Sequence, residues 1–147
     1  MIISGRRNAS GDQRGAAAVE LALLVPALLL VLGLLVAGGR LWFARTTVNE
    51  AAQSAARAAS LARSAAAATI AGRDAGSQSL ATVGLRCSST SVSISTAAFA
   101  VPVGTPSAVT STILCIVDFS DVFIPGWPGS VELAGHGSAA LDTYRSR

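Results

Sequence analysis

Hydrophobic positions along this chain follow three successive patterns, and each predicts a different kind of element. From Leu21 to Gly39, nineteen residues carry no charge. At about 1.5 Å per helical residue this run is about 28 Å long, enough to cross a bilayer core of about 30 Å. From Arg45 to about Ala71 the chain turns alanine-rich, and alanine is the best helix former. Val48, Ala52, Ala55, Ala59, Ala62 and Ala66 recur at spacings of four and three, a narrow apolar stripe. Asn49, Gln53, Arg57, Ser60 and Ser64 lie off that stripe. Side chains this small permit close backbone approach, either to a sheet of the same chain, the favoured reading, or to another subunit. Gly72 is the expected C′ residue closing this helix, and residues 74–85 predict a short second one. After Cys87 the period becomes two. Residues 88–101 read as a strand with Val92 and Ile94 in phase, broken by Pro102, Gly104 and Pro106. Residues 107–119 read as a second, β-branched strand, Phe123–Gly129 as a loop, and residues 130–145 as a third strand with a glycine-weakened middle. The predicted class is α+β: a single N-terminal transmembrane helix, continued as a long amphipathic helix, then a small antiparallel sheet.

Polar and special residues modify the apolar run. Glu20 sits just inside it, where a charge costs on the order of 2–3 kcal/mol at a helix centre and less near the interface. Pro26 removes one backbone hydrogen bond, which membrane helices tolerate where neighbours cover the defect. Gly33 and Ala37 form a small-xxx-small pair of the kind that brings two helices close, a weak signal in a chain so rich in Ala and Gly. Trp42 and Phe43 suit headgroup level. Residues 1–15 are short, polar and basic, and Arg6, Arg7 and Arg14 fit cytoplasmic retention, although Arg40 and Arg45 flank the other end. A leader and a plain tail before an uncleaved anchor both fit that segment.

Gly15-Ala-Ala-Ala-Val-Glu20 followed by a long apolar helix resembles the processing site of type IV pilin-like proteins. The wider stretch RGAAAVELALLVPALLLVLGLLVAGGRLWFARTTVNEAAQSAARAASLA resembles the TadE-like family of pseudopilins, which belong to Tad (Flp-type) pilus systems. Leu21 stands where the major Flp pilins carry a tyrosine. The resemblance implies cleavage between Gly15 and Ala16 by a membrane-embedded prepilin peptidase. It also implies that Glu20, then the fifth residue, pairs with the new Ala16 amine of a neighbouring subunit. Implied partners are prepilin peptidase, other pilin or pseudopilin subunits, Tad assembly proteins and membrane lipid. The implied place is the cytoplasmic membrane, single-pass, with the N-terminus in the cytoplasm and the C-terminal domain outside, and further the cell surface or pilus. The expected layout is a leader at 1–15, a transmembrane helix at 16–43, an Ala-rich helix at 44–72 and a small exported mostly-β domain at 73–147.

Composition narrows the remaining chemistry. All eleven basic residues are Arg, which reads as biased base composition of the source genome. The net charge of +3 is scattered and gives no nucleic-acid footprint. Removing residues 1–15 leaves +1, because the leader holds three Arg and one Asp. The two cysteines, Cys87 and Cys115, fall in the exported part. A hairpin turning near residues 101–104 sets them side by side, so in an oxidising compartment a disulfide is the natural reading, with two buried thiols as the alternative. No CxxC occurs and His136 is the only histidine, so no metal site or cofactor is expected. Asp118 and Asp121 read as turn carboxylates. Without a phosphate-binding glycine loop or a nucleophile motif, enzyme activity is not expected. Three readings stay open: a TadE-like minor pilin or pseudopilin, an uncleaved membrane-anchored module whose exported domain binds a partner, and a secreted domain released by signal peptidase.

Overall fold

The computed structural model describes residues 12–118 and 129–143. The fold is α+β: helix α1 (Asp12–Ser60), helix α2 (Ala65–Thr82), and strands β1 (Cys87–Ser95), β2 (Ser107–Asp118) and β3 (Ser130–Leu141). The chain divides into two units, Met1–Gly38 and Gly39–Arg147. Within the first, α1 carries Pro26 and is apolar on all sides. Its leucines are bare: Leu23 is 70%, Leu28 69% and Leu35 67% exposed. A helix with apolar side chains all round and, Ala37 apart, little protein over them is one that hydrocarbon could accommodate.

In the second unit the three strands form an antiparallel meander in the order β1-β2-β3. Central β2 turns Val109, Ser111, Ile113, Cys115 and Val117 inward, and β3 turns Leu133, Gly135, Gly137 and Leu141 to the same side. The part of α1 that belongs to this second unit lies against this face. Its buried residues are Ala44, Thr47, Val48, Ala51, Ala52, Ala55, Ala56 and Ala59. At 100° per residue these cover roughly half the helix circumference, twice the narrow stripe expected from sequence. Two elements rather than one pack on that helix, which explains the width.

Glycine makes both contacts possible. A Cβ on Gly135 would sit 2.5 Å from the Val48 carbonyl oxygen, and one on Gly137 would overlap the Ala52 carbonyl. The buried Ser111 hydroxyl donates to that same Ala52 oxygen at 2.5 Å, so the fully buried polar side chain on the inner face of β2 is satisfied. On the other side, a Cβ on Gly72 would sit 2.8 Å from Ile94 Cδ1 and 3.2 Å from the Ala55 oxygen, and one on Gly76 3.0 Å from Ile113 Cδ1 and 3.3 Å from the Ala55 Cβ. The glycines expected to weaken β3 instead let a regular twelve-residue strand approach the helix backbone.

Three boundaries differ from the sequence expectation. The Ala-rich helix does not run to Ala71: α1 stops at Ser60, whose hydroxyl donates to the Arg57 carbonyl at 2.9 Å. Ser64 then caps α2, accepting from the Ala67 amide at 3.2 Å. Ala62 is therefore only half-buried and Ala66 is exposed. Gly72 is no C′ residue but lies buried within α2, which continues to Thr82. The C′ role falls to Gly84 (φ 73°), with Gly84 N–H donating to Ala81 and Leu85 N–H to Leu80, a Schellman closure. Finally, β1 ends at Ser95, and Ala97–Ala100 form a 3₁₀ turn instead of more strand. The leader residues 1–11, Asp121, residues 123–128 of the expected loop, and Tyr144 and Arg145 lie outside the described residues.

These contacts make a specific forecast. Gly137→Ala should lower stability by about 1–3 kcal/mol, since neither backbone can yield without moving an element. Gly129→Ala, where a Cβ meets nothing within 4 Å, should change it little. Thermal unfolding of the detergent-solubilised chain followed by circular dichroism measures both; equal midpoints would contradict the close approach.

Candidate functional site

Gly15, Ala16 and Glu20 all lie in the first turns of α1. Gly15 is exposed, with nothing within 4 Å of where a Cβ would stand. Ala16 and Glu20 are four residues, about one helical turn, apart in α1. Glu20 is itself exposed, at the start of an apolar surface that includes Val19, Leu21, Leu23 and Leu24. Glu20 is thus a carboxylate at the rim of an exposed apolar surface. One helix, near the N-terminus, is long and apolar enough to cross a membrane among the described residues.

The two cysteines are joined. Cys87 and Cys115 form a disulfide with Cα atoms 5.4 Å apart. The bond is diagonal: Cys87 is paired in register with Val117, and a bulge around Ser88 shifts the ladder before Cys115 meets Thr90. Cys115 is fully buried on the inner face of β2, so the bridge ties the start of β1 to the core. The hairpin inferred from the prolines and Gly104 is what brings them together, with Gly104 (φ 95°) at the left-handed position of its turn.

His136 is an exposed residue of β3. Its Nδ1 lies 3.4 Å from the Thr112 hydroxyl and its backbone N–H donates to Asn49 Oδ1 at 3.3 Å. Among the described residues no group of three or more His, Cys, Asp or Glu is placed to hold a metal ion. Asp118 ends β2 in an exposed position.

Sequence reasoning missed the role of Asn49 and Gln53. They sit one turn apart on α1, and Gln53 Oε1 accepts from the Ser138 amide at 3.4 Å as Asn49 does from His136. Strand β3 is a sheet edge, and its outward amides would otherwise offer a template for another strand. The i, i+4 spacing of two amides at the border of the apolar stripe was the available signal.

The bridge closes a loop across most of the hairpin. By the chain-entropy relation its loss costs up to about 3.5 kcal/mol. Replacing both cysteines by serine should therefore depress the unfolding midpoint markedly. In the wild-type chain, alkylation without reductant followed by mass spectrometry should leave both cysteines unlabelled; labelling of either contradicts the bridge.

No curated protein and no solved structure matches the chain. A family model described as TadE-like protein does match, over residues 15–57. The matched stretch begins at Gly15, takes in Glu20 and the whole apolar run, and ends within the part of α1 that packs on the sheet. It points to a Tad pilus-associated component. The similarity to TadE-like protein is thus confined to residues 15–57, the segment that carries the apolar helix and its glutamate.

Proposed function

We propose that the chain is a minor pilin or pseudopilin, a structural or assembly component of a Tad-type pilus or secretion system, and not an enzyme. The observation that carries this reading is the coincidence, in one segment, of the TadE-like match and an apolar helix bare of protein on nearly every side. In the proposed cycle the helix holds the subunit in the cytoplasmic membrane with its N-terminus inside. Prepilin peptidase cuts between Gly15 and Ala16. The freed Ala16 amine of one subunit then meets the Glu20 carboxylate of a neighbour as the helices pack.

Such a pair adds little net stability, because desolvation offsets most of the attraction. What it supplies is register. Helices displaced by one step leave two unmatched charges in lipid, and each mismatch costs several kcal/mol. After cleavage, Ala16 and Glu20 of one chain are also a helical turn apart, so the intramolecular pair competes with the intermolecular one and keeps the free subunit tolerable in the bilayer.

A second reading, an uncleaved membrane-anchored module whose exported domain binds a partner, has one observation in its favour. Helix α1 begins at Asp12 and runs through Gly15–Ala16, so the scissile peptide must unwind before it can be cut. Two experiments separate the readings. Gly15→Val should leave a band about 1.5 kDa heavier than the processed chain, at the mean residue mass of a 147-residue, 14.7 kDa chain. Identical migration of mutant and wild type contradicts processing. Glu20→Ala should be inserted and cut normally but lose co-purification with pilin partners after mild detergent extraction, together with piliation. Normal partner recovery and normal pilus counts would reduce Glu20 to a tolerated interfacial residue.

A further inference from the structure

The border between α1 and β3 is an open polar groove, and Asn49, Glu50, Gln53, Arg57 and His136 on its walls are all exposed. Helix and strand run alongside each other there in the same direction. Gly135 rests on Val48, and Gly137, two residues on, rests on Ala52, one helical turn on. Asn49, Gln53 and Arg57 follow one another at four-residue spacing, so α1 sends one side chain to this border at every turn.

Chemistry fixes which way the two amides face. The His136 and Ser138 backbone N–H groups only donate, so the atoms that meet them at 3.3 Å and 3.4 Å are the side-chain oxygens of Asn49 and Gln53. The NH2 group of each amide is thereby turned away from the strand. Neither nitrogen, nor the Arg57 guanidinium, has a hydrogen-bond partner among the described residues.

The two residues stand about 6 Å apart along the helix axis, at about 1.5 Å per residue. Carbonyls on one side of an extended chain repeat every second residue, about 6.6 Å apart. Those spacings match. On the strand side, a residue that points its N–H outward points its C=O outward too, so His136 and Ser138 present acceptors along the same groove. Donors on one wall and acceptors on the other are the complement of a polypeptide backbone, which carries both. Glu50 and Arg57 add opposite charges at different heights of the groove.

We propose that this groove binds an extended segment of another protein chain. Alternate carbonyls of that segment accept from Asn49 and Gln53, an acidic side chain meets Arg57, and a basic one meets Glu50. A partner is thus held along the second unit rather than along the apolar helix. This inference rests on the second unit alone and is independent of cleavage and of the pilus role.

The test uses the full chain in detergent micelles and the peptide acetyl-Lys-Thr-Val-Thr-Glu-amide, followed by saturation-transfer NMR as the peptide is titrated. Binding should saturate. N-methylation of the peptide's valine removes one N–H and should weaken binding about 5-fold, the loss of one hydrogen bond of ~1 kcal/mol. Asn49→Asp keeps an oxygen for the His136 N–H, and so keeps the fold, but turns the outward donor into an acceptor. It should weaken binding by about 5-fold or more. Gln78→Glu makes the same kind of change at an exposed position of α2 outside the groove, and should leave binding unchanged. Binding that does not saturate, equal affinity of the N-methylated peptide or of Asn49→Asp, or an equal loss in Gln78→Glu would each overturn the proposal. Displacement of the peptide by a neutral chitin oligosaccharide would overturn it in favour of a glycan site.

Discussion

The structure depends on how closely one helix backbone can be approached. Alanine and valine on α1 meet glycine on β3 and on α2, so that Gly135 and Gly137 rest on the Val48 and Ala52 carbonyls and Gly72 on that of Ala55. The larger side chains of the core, Ile94, Ile113, Leu80 and Leu133, fill the space around these close approaches. A hydrogen bond from Ser111 to the Ala52 carbonyl joins β2 to the helix at the same place. This is a core of small parts, in which a single added methyl is a large change. The disulfide and the Asn49 and Gln53 bonds to the β3 edge act on the same scaffold, one fixing the start of β1 and the others closing the open strand.

The same geometry connects the two halves of the functional reading. A continuous helix from Asp12 to Ser60 carries Glu20 near one end and the sheet-packing alanines near the other. The alanine-rich stretch is committed within the chain: its buried side faces its own sheet and α2, leaving Asn49, Glu50, Gln53 and Arg57 exposed. Of the two roles the sequence left open for the stripe, core rather than subunit interface, the first is what the fold uses.

Legibility followed from how local each signal was. The apolar run, the α+β class, three strands and the cysteine pairing were readable because each rests on a run, a period or a hairpin turn. The width of the α1 interface was not, because Ala44, Ala51 and Ala56 are unremarkable in an alanine-rich chain until α2 is known to lie there. The break at residues 61–64 was hidden for a similar reason: alanine periodicity resumes on both sides, and only Ser60 and Ser64 mark the stop and start. Gly72 looked like a terminator because glycine often is one, yet its φ is not positive and its purpose is proximity to Ala55. The residues AAFA extended the small-residue texture of β1 while the backbone had already turned to 3₁₀. Nothing local distinguishes a glycine that ends an element from one that admits a neighbour.

The central functional claim is that Glu20 works beside an amine created by cutting the chain, and that claim has a direct chemical reading at the terminus. N-terminal sequencing of the chain extracted from the membrane of cells expressing the complete pilus system measures it without mutation. The account predicts a start at Ala16. A start at Met1 contradicts it and leaves the uncleaved anchored module, and a start near residues 38–40 contradicts it in favour of a domain released by signal peptidase.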